Sequence, residues 1–171
     1  MLKFFGILWL SACDEMFGGF AKVPSQEYVF VVELPIAAVW SFINNRTEVG
    51  CLFPGCNDVK ILNELDSLWT VSFSVGPFNR TVQVKGHTTE LVENERIAWT
   101  VTHDLFTVYG ITILRKISEA ETEITYRLQA KATGHFTFLQ EIVVGQKMRE
   151  SAFVFVENIK KRLNLMAETK S

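Results

Sequence analysis

Between Leu68 and Val75 the chain alternates strictly. Trp69, Val71, Phe73 and Val75 are apolar, and Thr70, Ser72 and Ser74 between them are polar. A period of two marks an antiparallel strand with one face buried and one in water. The same reading extends on both sides. VKILNEL before it and RTVQVKGHTTEL, RIAWTVTH, Thr107 to Ile117 and Glu123 to Thr133 after it predict six strands in a row. Short turns at Asp66-Ser67, Gly76 to Asn79, Glu93 to Glu95 and SEAET join them into a meander. Upstream, QEYVFVVEL (Gln26 to Leu34) is a further strand, stopped by Pro35. Proline suits a first helical turn, and Ile36, Val39, Trp40 and Ile43 then share one face of a short helix. RTEVGCLF gives a second short helix or turn, ended by Pro54-Gly55.

The last part of the chain changes period. From Phe136 to about Ala167 there is no proline, and Phe138, Ile142, Met148, Ala152, Phe155, Ile159 and Leu163 recur mostly at three or four residues. That is one long amphipathic helix. The expected fold class is therefore α+β: a curved seven-stranded antiparallel sheet around a long C-terminal helix, with two short helices between strands 1 and 2. Residues 26–168 make one domain, 1–25 an N-terminal extension and 169–171 a tail. A cavity between sheet and helix would be lined by Trp69, Phe73, Trp99, Val101, His103, Tyr109, Ile111, Tyr126, Phe138, Ile142 and Met148. Each of these positions also fits plain core packing, and a bulge or one-residue slip would turn any strand residue outward.

Composition adds less. The chain has 171 residues, 48% hydrophobic and 21% charged, with a net charge of −2, so it reads as a folded domain without the basic surface that nucleic acid requires. The 14 Phe and 4 Trp are enough to fill a core or to line an apolar cavity. The first residues, MLKFFGILWLSACDE, are too apolar to ignore and too short to span a bilayer, which takes roughly 20 residues. They admit three readings: an extra arm preceding a start at Met16, a lipoprotein signal with Cys13 as the lipidated residue, or a peripheral membrane anchor. The expected location is cytoplasmic, with membrane association left open.

Two features invite chemistry. GCLFPGC places Cys51 and Cys56 five apart, and this spacing admits a redox pair, half of a metal site, or incidental thiols at a tight turn. No second CxxC or HxxxH completes a zinc set, so no metal is expected. The histidines are His87, His103 and His135. Alternation places His87 with Lys85 and Gln83 on a polar face, and His135 at the entry of the long helix. His103 shares the face of Trp99 and Val101, where with Asp104 it could act as a general base or sit as a lone polar group at a cavity mouth. No GxSxG, P-loop or dinucleotide fingerprint is present, and no cofactor is expected.

Three stretches carry a resemblance to a known family. ELPIAAVWSFINN (Glu33 to Asn45) resembles a strand-to-helix opening, CLFPGCNDVK (Cys51 to Lys60) a Cys-Leu-Pro-Gly-Cys signature, and VSFSVGPFNRTVQVKG (Val71 to Gly86) a Val-Gly-Pro hairpin. Together they are similar to the CoxG family, named for a component of carbon monoxide dehydrogenase. It lies within the helix-grip (SRPBCC) superfamily of START domains, birch-pollen-type allergens and polyketide cyclases. The resemblance covers about Gln26 to Leu163; Phe53 departs from it, and residues 1–15 have no counterpart. It implies a binding protein for a lipid-, isoprenoid- or quinone-like molecule. It also implies an accessory role beside a molybdenum-hydroxylase-type dehydrogenase. A cyclase- or hydrolase-like enzyme using His103, or an assembly module without ligand, are the alternatives.

Overall fold

The computed structural model describes residues 25–75, 78–104, 106–132 and 138–169, with the side chains of 73, 75, 78, 132 and 138–144 outside that description. The elements run β1 (Ser25–Val32), α1 (Ile36–Ile43), α2 (Arg46–Gly50), β2 (Cys56–Ile61), β3 (Asp66–Val75), β4 (Phe78–Val92), β5 (Arg96–His103), β6 (Phe106–Lys116), β7 (Thr122–Ala132) and α3 (Phe138–Glu168). The seven strands form one antiparallel sheet in the order β1-β7-β6-β5-β4-β3-β2, so β1 and β2 are its edges. This is the helix-grip arrangement the periodicity predicts.

The two short helices end for local reasons. Pro35 precedes α1, which buries Val39, Trp40 and Phe42. Asn45 caps α2, its side chain accepting from the Glu48 N–H at 3.2 Å. Beyond Cys51 the chain turns through Phe53, Pro54 and Gly55. Gly55 has φ +81°, and a Cβ there would meet the Ser72 carbonyl oxygen at 2.0 Å. Only glycine fits that approach.

One turn differs from the sequence reading. Asp66 and Ser67 begin β3, and the chain reverses through Leu62 to Leu65 instead. The cause is Asn63. Its Oδ1 accepts the N–H groups of Leu65 at 2.9 Å and Asp66 at 2.7 Å, and its Nδ2 donates to the Asp66 carboxylate at 2.9 Å. An asparagine that satisfies two backbone donors makes the turn where it stands.

The core lies between the sheet and α3. Val32, Leu114, Ile124 and Tyr126 from β1, β6 and β7 meet Phe155, Val156, Ile159 and Leu163 of α3 and the α1 side chains. Ala152, Phe155, Ile159 and Leu163 keep the predicted stripe, and Leu163 is fully buried. Two polar ties hold this half of α3: Asn158 donates to the Leu52 carbonyl at 2.9 Å, and Arg162 pairs with Glu48 at 2.9 Å. Among the described residues, no helix is long and apolar enough to cross a membrane.

Candidate functional site

The register decides which side chains share the inner face. On β5 and β3 these are Ile97, Trp99, Val101 and His103, with Trp69 and Val71. Val82 and Val84 stand opposite them on β4, and Tyr126 stands in line through Thr112. Trp99 faces Gly110 on β6, and a Cβ on Gly110 would strike the indole at 2.2 Å. The glycine is therefore a slot for the ring. Trp69 lies beside Gly50 of α2, and its Nε1–H donates to Ser67 Oγ at 2.9 Å.

An aromatic chain crosses the interior from the Phe-Pro-Gly turn. Phe53 packs on Phe155 with centroids 5.5 Å apart, Phe155 on Tyr126 at 5.8 Å, and Tyr126 on Trp99 at 6.5 Å. Tyr126 is only 4% exposed, and burial holds its phenol well above the ordinary tyrosine range. Its hydroxyl makes no hydrogen bond among the described residues. The neighbouring Tyr28 differs: its hydroxyl donates to Gln26 Oε1 at 2.9 Å.

Burial along this face is uneven. Val32, Leu114, Ile124 and Tyr126 are sealed under α3 and α1, whereas Trp69, Val71, Val82, Trp99 and Val101 are only half-buried. Among the described residues, the main tertiary contacts of α3 are with β1 and β7. Among the described residues, the inner face of β3–β5 thus carries half-buried apolar side chains beside the buried Val84 and Ile97. His103 ends β5 at the rim of that surface, half-buried and stacked on Phe106 with centroids 5.1 Å apart.

Of the residues expected to line a cavity, Trp69, Trp99, Val101, His103 and Tyr126 come together on this face. Met148 is half-buried on α3. The side chains of Phe73, Phe138 and Ile142 lie outside the described residues. Tyr109 and Ile111 are corrected. They pair with Thr100 and Ala98 on one side and with Gln129 and Arg127 on the other, which puts them on the outer face of the sheet. The inward positions of β6 are Val108, Gly110, Thr112 and Leu114, all buried. Both phases of this strand hold apolar residues, so alternation alone does not choose between them. Gly110 is the available signal, since a glycine opposite a tryptophan marks the inner face. Val71 and Val82 join the face as further members, and the same alternation makes both legible.

The remaining chemistry is spread out. Cys51 caps α2 and is exposed, not buried; Cys56 opens β2, and both are free thiols. Burial pushes the Cys56 thiol up, which disfavours a reactive thiolate. Among the described residues no group of three or more His, Cys, Asp or Glu is placed to hold a metal ion. His87 is exposed, as expected, and its Nδ1 meets Asp66 Oδ1 at 2.8 Å on the outer face. The Asn63 amide and His87 together hold the Asp66 carboxyl below its ordinary range. His135 lies outside the described residues. On the solvent side of α3 an open groove of about 410 Å3 runs past Glu157, Lys161 and Glu168; its charged walls do not suit an apolar ligand.

Comparison with known proteins agrees with this geometry. A conserved protein from Geobacillus kaustophilus is similar in structure at 14% identity and TM-score 0.68, over 82% of this chain and 95% of its own. A START superfamily protein from Mycobacterium smegmatis is similar at 10% identity and TM-score 0.63, over 83% and 98%. The Zhui aromatase/cyclase from Streptomyces sp. R1128 is similar at 16% identity and TM-score 0.53, over 86% and 89%. At such identities the likeness is one of fold. No curated protein matches the chain by sequence. The family model for the carbon monoxide dehydrogenase component CoxG matches residues 29–164, and the chain belongs to the CoxG family.

Proposed function

We propose that the protein binds a hydrophobic small molecule, of lipid, isoprenoid or quinone type, against the inner face of β3–β5. The observation that carries this reading is the half-buried patch of Trp69, Val71, Val82, Trp99 and Val101 beside a sealed core. Apolar side chains left partly in contact with water on a concave face gain free energy when a ligand covers them, at about 25 cal/mol per Å2. Tyr126, whose ring packs on Trp99, supplies a hydroxyl as the polar group that orients such a ligand. The family name supports an accessory role beside a carbon monoxide dehydrogenase-like enzyme of the molybdenum-hydroxylase type. In that role the protein holds or hands over the ligand and catalyses nothing, at a cytoplasmic or membrane-associated site.

A second reading has its own observation. His103 stands at the rim of the patch, and similar folds include aromatase/cyclases. A cyclase- or hydrolase-like enzyme would use His103 as its base. Native mass spectrometry of the gently purified protein, repeated after organic extraction, tests the binding reading. Release of one stoichiometric apolar molecule supports it. A protein that is empty, and shows no thermal shift with lipids, isoprenoids or quinones, favours an assembly module instead. His103→Ala separates carrier from enzyme: a carrier keeps most of its affinity, and an enzyme loses turnover.

A further inference from the structure

The β2 edge of the sheet presents a self-complementary surface. Among the described residues, strand β2 pairs with β3 on one side only. The Leu62 N–H donates to Asp66 O across the turn, and this fixes the phase of the ladder. Bonded and non-bonded pairs alternate along antiparallel strands, so Lys60 and Asp58 exchange their main-chain bonds with Leu68 and Thr70. Val59 and Ile61 therefore turn their N–H and C=O groups away from the sheet. Among the described residues nothing accepts or donates to those groups. Helix α2 covers only the inner face here, with Val59 against Gly50.

Edge strands are commonly guarded by charge. This one carries Asp58 and Lys60, both exposed and both on the outer face, one of each sign and two residues apart. A guard of a single sign repels a second copy; this pair does not. Setting two β2 strands antiparallel with Val59 opposite Val59 brings Asp58 of each copy opposite Lys60 of the other. In that register the outward groups of Val59 form the bonded pair on the two-fold axis. Asp58 and Lys60 then fall in the non-bonded pairs, where opposing side chains are closest. Main-chain phase and charge phase thus select the same register. The exposed Ile61, Leu62 and Leu65 flank it, at 44, 48 and 40% exposure, and would lose contact with water. We propose that the protein associates with a second copy of itself through β2, in an isologous dimer centred on Val59. The strand is short, so the dimer is a concentration-dependent one.

Light scattering coupled to size exclusion tests this across a concentration series. The full chain is expected to move from monomer to dimer as concentration rises. Lys60→Asp and Asp58→Lys, which fold normally by circular dichroism because both sites are exposed, each weaken the dimer by about ten-fold or more. Mixing the two variants restores it, because each opposing pair is then again one Asp and one Lys. A second readout needs no variant: hydrogen exchange at the Val59 and Ile61 amides slows as the dimer forms. A wild-type chain that stays monomeric overturns the proposal. So does a dimer that survives both substitutions, a mixture that fails to restore it, or unprotected Val59 and Ile61 amides in the dimer.

Discussion

The inner face of the sheet has two halves built from the same alternation and finished differently. Under α1 and α3, Val32, Ile124, Leu114 and Tyr126 are at most 5% exposed. Around Trp69, Val71, Val82, Trp99 and Val101 the side chains are as apolar but only half-buried. Strand patterning sets which way a residue points; the element packed on it sets whether water reaches it. A residue in the sealed half acts mainly on stability; under the proposed function, one in the half-buried patch acts mainly on ligand binding.

That contrast can be broken from the sealed side first. Leu163→Ala removes a fully buried side chain of α3, and the cavity it leaves should cost about 3 kcal/mol in chemical denaturation. Gly110→Ala sits at the boundary. Its Cβ strikes the Trp99 indole, so the ring must move; the expected cost is about 2 kcal/mol, with a shifted tryptophan emission and weakened ligand binding. A Gly110→Ala protein with unchanged stability and emission would show that Trp99 does not occupy the slot.

Tyr126 is sealed by burial but packs on Trp99 of the patch, so its ring belongs to the first half and its hydroxyl should respond in the opposite proportion. Tyr126→Phe deletes a hydroxyl with no hydrogen-bond partner among the described residues. Stability should change by less than about 1 kcal/mol, while affinity for a ligand with a polar head falls by roughly ten-fold. Equal losses in both would place the hydroxyl in a structural bond instead.

The smallest effect lies outside both halves, on the outer face. The Asp66 carboxyl is held below its ordinary value of 3.8 by Asn63 and then by His87. A depressed folded-state value means that the carboxylate stabilises the fold above pH 3.8, and that this stabilisation is lost as pH falls through the lower folded value. Asp66→Asn should therefore lower Tm slightly at neutral pH and converge with the wild type in strong acid. A gap that persists at low pH would assign the loss to geometry rather than charge.

The element order was legible because each strand and helix announces itself by period, and the α3 stripe through Leu163 needed nothing else. The turn at Asn63 was not, because apolar Leu62 and Leu65 on either side let the segment pass for strand although the alternation breaks at Ile61-Leu62 and Asn63-Glu64, and it is the side-chain capping that makes the reversal. Part of the candidate site's inner face was legible for the same reason as the strands: Trp69, Trp99, Val101 and His103 follow one phase. Tyr109 and Ile111 were misplaced because β6 is apolar in both phases, and the inner phase is the one with Gly110 and Thr112. Phe53 joins the aromatic chain through Phe155 across a gap in sequence that no local period spans.

A ligand site and a loosely packed core differ in what the half-buried patch does when it is filled. The direct measurement is a titration of an apolar fluorescent probe, such as 1-anilinonaphthalene-8-sulfonate, into the wild type and into Val101→Trp. The larger ring fills space beside Trp99 on the inner face without entering the sealed half. The account predicts saturable binding to the wild type and at least about a ten-fold loss in Val101→Trp, with Tm nearly unchanged. Equal binding by both proteins would contradict it, and so would a Val101→Trp protein that loses stability as a filled core does.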